Sequence, residues 1–371
     1  MTLADPTVTR VDVVALPTYY PRRVGRNARL GSHGTGGESR VAVISTDTRH
    51  TGWGLVEGPG GDVADVVGHP LSDLVDPAGG TRHERHLWLD IALHDLLGVV
   101  QDLPVHALLG GRGDRSVEVY DGAIYLDDLD PDDLDPDDLD PDDAPRGPQV
   151  VLENCRSDAA AGYTGFKLKI GRGHRWMDRA AGDARDVEIT RRVREAWPDA
   201  KILVDANDGY DLDGFCRYLD AVADVGLYWV EEPFPDDPGD LAALRRHRDV
   251  VSPATRIAEG ETAPDVEALL PVAERHDIDV LLMDVVSFGI TRWRRLVPRL
   301  ADAGVEASPH AWGRPLKTLY AAHMAAGLGG MPIVEGVPGR TDGVDASGYV
   351  FVDGHLTVPD RPGFGLPLPR P

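Results

Sequence analysis

The chain has almost no lysine. Among its 371 residues are only four, Lys167, Lys169, Lys201 and Lys317, against 34 arginines. Arginine keeps its proton in proteins, whereas a lysine amine can lose it where the surroundings disfavour charge. Two lysines two residues apart in GFKLKIG, residues 165–171, therefore raise the question of whether that position needs a base. Cysteine is scarcer still: Cys155 and Cys216 are too widely spaced for a metal or redox motif, which argues against a disulfide scaffold and leaves two reduced thiols. No apolar run approaches the roughly 20 residues of a membrane span. The start, MTLADPTVTRVDVVAL, has neither the basic residues nor the apolar stretch of a signal peptide, so a cytoplasmic protein is expected.

What the chain has in excess is negative charge. Its formal net charge is −24, and residues 127–143, DDLDPDDLDPDDLDPDD, hold 11 aspartates. Such a surface disfavours nucleic acid and anionic membrane as partners. Within that segment DLDPDD occurs three times. Its prolines and mutually repelling carboxylates predict a plain, solvated, mobile insertion, and it lacks the glycine and glutamate of an EF-hand loop. Elsewhere a hydrophobic share of 42%, spread over aliphatic runs, is enough for a sizeable core.

Two patterns of periodicity divide the chain. The first section alternates β-rich runs, VTRVDVVALP, ESRVAVISTD and GWGLVEG, with Gly-rich or polar turns. A helical stretch follows, RHERHLWLDIALHDLLGVVQDLPVHALLGG, apolar at three- and four-residue steps. This predicts an α+β domain over residues 1–115. From residue 116 strands and helices alternate: VEVYDGAIYL, GFKLKIG, KILVDAN, LYWVEEP, RIAEGE, VLLMDVV, VEASPHAW and PIVEGV are the strand candidates, with segments such as DVEITRRVREAWPDA between them. Eight strands in this order predict an α/β domain over 116–345 of the (β/α)-barrel kind, rather than a doubly wound sheet. The tail, from 346 to 371, reads as strands that return to the first domain.

Ionisable residues recur at the carboxyl ends of these strands: Lys169, Asp205, Glu231, Glu261, Asp284, His310 and Glu335. After Asp205 the separations are 26, 30, 23, 26 and 25 residues, each one strand–helix unit. In a barrel this brings all seven to one rim. Asp205, Glu231 and Glu261 come from consecutive strands and offer three hard oxygen donors, the donor set that suits Mg²⁺. Glu232 and Glu259 are close by but are expected to point elsewhere by strand alternation. The same alternation puts Lys167 and Lys169 on one face and Phe166, Leu168 and Ile170 on the other, against outer helices. Each ammonium disfavours the other, which is expected to lower a lysine pKa toward that of a working base. Asp284 beside His310 would fix the imidazole tautomer and raise its basicity, and Glu335 would face the same cavity as a protonated hydrogen-bond donor.

In this order, IALHDLLG, HALLGG, KLK, VDAN, EEP, GET, the Asp284–His310 pair and PDRPGFG closely resemble the enolase superfamily, and within it the mandelate racemase subgroup, over nearly the whole chain. The resemblance implies a (β/α)7β TIM-like barrel with an α+β capping domain built from residues 1–115 and 346–371. It implies Mg²⁺ on Asp205, Glu231 and Glu261, Lys169 as base with Lys167 its neighbour, His310–Asp284 as the opposing acid/base dyad, Glu335 as an electrophilic acid and Asn207 as a polar residue near substrate. The implied chemistry is removal of a proton beside a carboxylate through an enediolate. Reprotonation on the other face gives a racemase or epimerase, and loss of a β-hydroxyl as water gives a dehydratase. Dehydration of a sugar acid is favoured, because Arg22, Arg23, Arg26, Arg29 and His33 lie in a capping segment and suit a polyhydroxylated or dianionic ligand. The expected partners are that small carboxylate and further copies of the chain. A binding protein with a degenerate site, relying on the acidic insertion, is the alternative outside catalysis.

Overall fold

A computed structural model describes residues 5–58, 60–140, 143–261 and 264–369. Pro141 and Asp142 of the acidic repeat and Thr262 of the GET motif lie outside the described residues. The chain divides into two compact units, one of Met1–Tyr19, Gly36–Val119 and Met283–Pro371, the other of Tyr20–Thr35 and Tyr120–Leu282. No helix among the described residues is long and apolar enough to cross a membrane.

In the first unit the early β-rich runs form an antiparallel sheet in which Gly34–Thr46 pairs with Thr51–Leu55 and the strand that begins at Val8 pairs with Arg340–Thr341. The predicted helix is Asp90–Gln101, and its Leu93, Leu96 and Leu97 close a core with Val8, Ala42 and Ile44. Gly52 makes the close approach possible, since a Cβ there would stand 2.4 Å from the backbone nitrogen of Leu96. The tail returns here. His355–Thr357 pairs with Ser116–Glu118, and the backbone around Gly363 meets the end of the helix.

Asp95 ties these pieces together. One carboxylate oxygen accepts the Trp53 N–H at 2.8 Å and the other the Phe364 N–H at 2.8 Å. Burial pushes this carboxyl from 3.8 up to about 7. A carboxyl whose folded-state pKa is raised contributes less stability as pH climbs from about 4 through 7, because the folded state holds a proton that the unfolded state has already released. Asp95→Ala is expected to lose about 2–4 kcal/mol near pH 5.5, from two buried backbone donors left unpaired. The loss should be smaller near pH 8, read as urea midpoints at the two pH values.

The second unit is built on parallel pairing. Gly165–Lys169 lies between Ser116–Ile124 and Lys201–Asp205, and the ladder continues through Trp229–Glu231, Arg256–Glu259 and Val280–Leu281. Helices Arg179–Ala196, Leu212–Ala221, Pro238–Val251 and Val266–Glu274 fall between successive strands, as parallel crossovers require. Each starts on an aspartate whose side chain accepts backbone N–H groups, namely Asp178, Asp211, Asp237 and Asp265. Part of the acidic surplus is thus used as helix caps. Phe166, Leu168 and Ile170 are buried, with the Phe166 ring edge-on to Trp197 at 5.3 Å.

The acidic insertion is not the plain solvated loop expected from its composition. Leu129 and Leu134, one from each of two successive repeats, are buried with Leu126 and Trp176. Buried Asp128 pairs with Arg172 at 2.6 Å and Arg185 at 3.1 Å. The repeat places a leucine every fifth residue and an aspartate on either side, so apolar anchoring and ion pairing act on the same segment.

Candidate functional site

Register assembles the centre of the second unit. Lys169 is paired with Asp205, Asp205 with Glu231, and Glu231 with Ala258, so the chemistry-bearing residues of three neighbouring strands stand in one row. In-register residues of a parallel sheet share a face. By alternation Glu259 then lies on the other face, and strict alternation would carry Glu261 with it. Gly260 breaks the pattern with φ +108°, a conformation that glycine adopts without strain. Glu261 is thereby turned back, and a carboxylate oxygen from each of Asp205, Glu231 and Glu261 lies within 4.8 Å of the others. Asp205 and Glu231 are fully buried. Glu259 is buried outside this triad, where burial, and then the nearby carboxylates of Asp236 and Glu232, hold it well above the ordinary carboxylate range.

The two lysines reach the same carboxylates. Lys167 Nζ donates to Glu231 Oε1 at 2.7 Å and lies 3.2 Å from Asp205 Oδ2, while Lys169 Nζ donates to Asp205 Oδ2. On the other side of Glu231, Trp229 Nε1 donates to Oε2 at 3.0 Å. Three hard oxygens at this spacing fit Mg²⁺ by donor chemistry, and the lysines supply countercharge to the same atoms.

The expected fall in the Lys169 pKa is not found; its pKa is raised. Burial and Lys167 both act downward, but Asp205 and Glu261 outweigh them. Two ammoniums repel, yet each donates to a carboxylate, Lys167 to Glu231 and Lys169 to Asp205. A divalent cation on those carboxylates would compete for the charge that now holds the proton on Lys169.

His33 joins this centre. Its ring meets Tyr125 edge-on at 4.8 Å, and the Lys169 ammonium lies 5.1 Å from the centre of the same Tyr125 ring. Burial, and then Lys169, push the His33 imidazole down to about 4. Asn207 follows at φ 44°, with its backbone N–H donating to Asp205 Oδ1 at 3.0 Å.

The arginines of the 22–29 segment are committed to protein partners. Arg22 pairs with buried Asp158 at 2.5 Å. Arg23 meets Asp140 at 2.6 Å and Asp143 at 2.9 Å, and Arg26 meets Asp143 at 2.6 Å. Arg29 donates to the Asn207 carbonyl at 2.8 Å and pairs with Asp208 at 3.2 Å. The expectation of substrate contact is corrected for Arg22, Arg23 and Arg26: Arg23 and Arg26 fasten the segment to the acidic insertion and Arg22 to Asp158, while Arg29 is held at the loop after Asp205. Composition alone cannot reveal that the aspartate run and the arginine run are each other's counterions.

The first unit carries a second cluster. Asp284 Oδ1 accepts the backbone N–H groups of Val286 and Ser287 at 2.8 and 2.9 Å. Its Oδ2 lies 2.9 Å from His310 Nδ1 and 2.7 Å from Lys317 Nζ. Lys317 also pairs with Glu57 at 2.5 Å. Although burial acts upward, Lys317 and then His310 hold the Asp284 carboxyl well below its usual range. Glu335 Oε2 accepts the N–H groups of Ala311 and Trp312 at 2.7 and 2.9 Å, and lies 3.9 Å from His310 Nε2. A proton for the donor role expected of Glu335 would therefore sit on Oε1. Sequence reasoning found Asp284, His310 and Glu335 but gave no part to Lys317 or Glu57. The signal for Lys317 was its residue type, one of only four lysines.

A family model described as enolase C-terminal domain-like matches residues 150–370. The chain belongs to this family. Galacturonate dehydratase from Geobacillus sp., solved with D-galacturonate and 5-keto-4-deoxy-D-galacturonate, is 32% identical, with a TM-score of 0.88 over 98% of this chain and 94% of that one. A mutant of a Geobacillus sp. galacturonate dehydratase, solved with Mg, is 31% identical at a TM-score of 0.89, over 99% and 94%. D-xylonate dehydratase from Haloferax volcanii is 27% identical over 76% of this chain, and the chain spans 66% of that enzyme's length. D-galactarolactone cycloisomerase from Agrobacterium fabrum is 28% identical over 89% of each chain. The fold is accordingly α/β, a TIM-like barrel of parallel strands with an N-terminal α+β cap.

The arginine–aspartate pairing makes a prediction of its own. Replacing Asp140 and Asp143 together with asparagine should expose residues 127–143 to limited proteolysis several-fold faster, followed by mass spectrometry. About 1 M salt should accelerate cleavage of the unaltered chain in the same direction.

Proposed function

We propose that the protein removes the proton α to the carboxylate of a sugar acid and eliminates a β-hydroxyl as water, in a reaction that requires Mg²⁺. The observation that carries this reading is the row Lys169–Asp205–Glu231, completed by Glu261. A proton beside a carboxylate is hard to remove because the enediolate concentrates negative charge. Bound by Asp205, Glu231 and Glu261, Mg²⁺ supplies fixed positive charge against which that enediolate is stabilised. Lys167, held between Glu231 and Asp205, adds a second fixed positive charge, and Lys169 takes the proton. His310, with its tautomer fixed by Asp284, gives a proton to the departing hydroxyl. The C–O bond breaks, water leaves, and the enol product tautomerises to a 2-keto-3-deoxy acid. Glu335 acts as a hydrogen-bond donor through Oε1, and Asn207, Arg29 and His33 border the substrate.

The choice of a sugar acid draws support from the galacturonate and D-xylonate dehydratases that the chain resembles. The cycloisomerase relative keeps a second reading open, in which the same residues move a proton without loss of water. We further propose that residues 1–115 and 346–371 form the cap and 116–345 the barrel, and that the enzyme works as a cytoplasmic homo-oligomer.

The test is a panel of acid sugars with Mg²⁺, scored for 2-keto-3-deoxy products and for exchange of solvent deuterium at the α-carbon. Turnover to keto acids is expected, abolished by EDTA and restored by Mg²⁺. Deuterium exchange without keto acid would overturn dehydration in favour of epimerisation. Lys169→Ala should lower kcat on the true substrate by about 10²–10⁴-fold, the usual worth of a general base, with the fold intact by circular dichroism. Retained activity would remove Lys169 from its role.

A further inference from the structure

Lys317 is a buried ammonium outside the roles assigned so far. Its side chain, on helix Pro315–Leu328, is 6% exposed and ends on the dyad carboxylate. The two oxygens of Asp284 have different duties. Oδ1 accepts the backbone N–H groups of Val286 and Ser287 and the Ser287 hydroxyl at 3.3 Å. Oδ2, the oxygen that His310 uses at 2.9 Å, is also taken by Lys317 at 2.7 Å. We propose that Lys317 is a positioning residue that acts through Asp284: by sharing Oδ2 it weakens the carboxylate's hold on the His310 imidazolium and makes His310 a readier proton donor. This rests on reading His310 as the acid/base of the proposed reaction.

The physical argument follows from charge. In an isolated Asp–His pair the carboxylate stabilises the imidazolium and holds its proton more tightly. An ammonium on the same oxygen cancels much of that field at the ring. Glu57, at 2.5 Å from Lys317 and 34% exposed, limits the cancellation by drawing the ammonium away from Asp284. Glu335, at 3.9 Å from His310 Nε2, is present in every variant below and drops out of the comparison. Of these groups, Lys317 and Glu57 can be altered without touching the dyad.

The experiment is an NMR titration of the His310 imidazole, its resonance assigned by loss in His310→Asn. In Lys317→Met the His310 midpoint should rise by about one pH unit, the lower end of the effect expected for one neighbouring charge. In Glu57→Gln, where the ammonium is left to Asp284 alone, it should fall. Lys317→Arg should return it toward the unaltered value. The limb of the pH–rate profile that belongs to His310 should move with it. A midpoint unmoved in Lys317→Met and Glu57→Gln, in protein that melts normally, overturns the proposal and leaves Lys317 a packing residue. If Lys317→Met does not fold, the direction of the Glu57→Gln shift decides. Absence of turnover on every acid sugar would sink the proposed reaction instead, and the imidazole midpoints would still judge Lys317.

Discussion

Gathering five like and unlike charges on adjacent strands, four of them fully buried, is the constraint around which this protein is organised. Asp205, Glu231 and Glu261 converge to within 4.8 Å, and two ammoniums sit among them. Neither set is stable without the other: carboxylates removed from water repel, and isolated buried ammoniums shed their protons. Parallel register solves the problem geometrically, because Lys169, Asp205 and Glu231 need no side-chain search to meet. The proposed reaction draws on the same electrostatic balance: the carboxylates would hold a cation, and the lysines fixed beside them would face a substrate that gains charge as it reacts.

The shortage of lysine has a structural meaning in this light. Lys167, Lys169 and Lys317 are all buried against carboxylates, at 1%, 2% and 4% exposure. Arginine performs the other cationic work, fastening Arg22, Arg23 and Arg26 to aspartates and Arg29 to a carbonyl and Asp208. The division follows from shape. A guanidinium is a planar fork that grips carboxylates, as buried Arg172 grips Asp128, and keeps its proton, whereas an ammonium is a point charge that fits between two oxygens and can give up a proton. The acidic insertion belongs to the same economy of charge, as the partner of the arginine segment 22–29.

Much of this was legible from residue order. Alternation in GFKLKIG, the near-regular spacing from Asp205 to Glu335 and the hydrophobic steps of IALHDLLG depend on local geometry, which sequence records directly. The misreadings share one cause, the meeting of segments remote in the chain. Composition assigned Arg23 and Arg26 to a ligand and left the aspartate run in solvent, because nothing local says that residues more than a hundred apart will neutralise each other. The Lys169 proton was assigned from its neighbour two residues away, while carboxylates 36 and 92 residues on have the greater effect.

Residue order therefore determined which side chains share a strand face, where each strand ends and which donor types the centre contains. All of these follow from the two-residue period of a strand and the chemistry of single side chains. Tertiary structure decided the rest: that Gly260 turns Glu261 back to the triad, that Asp284 Oδ2 serves both His310 and Lys317, and that the arginines are bound to aspartates. Each of these depends on distances between segments, and a Coulomb interaction is set by the separation of charges in space rather than along the chain.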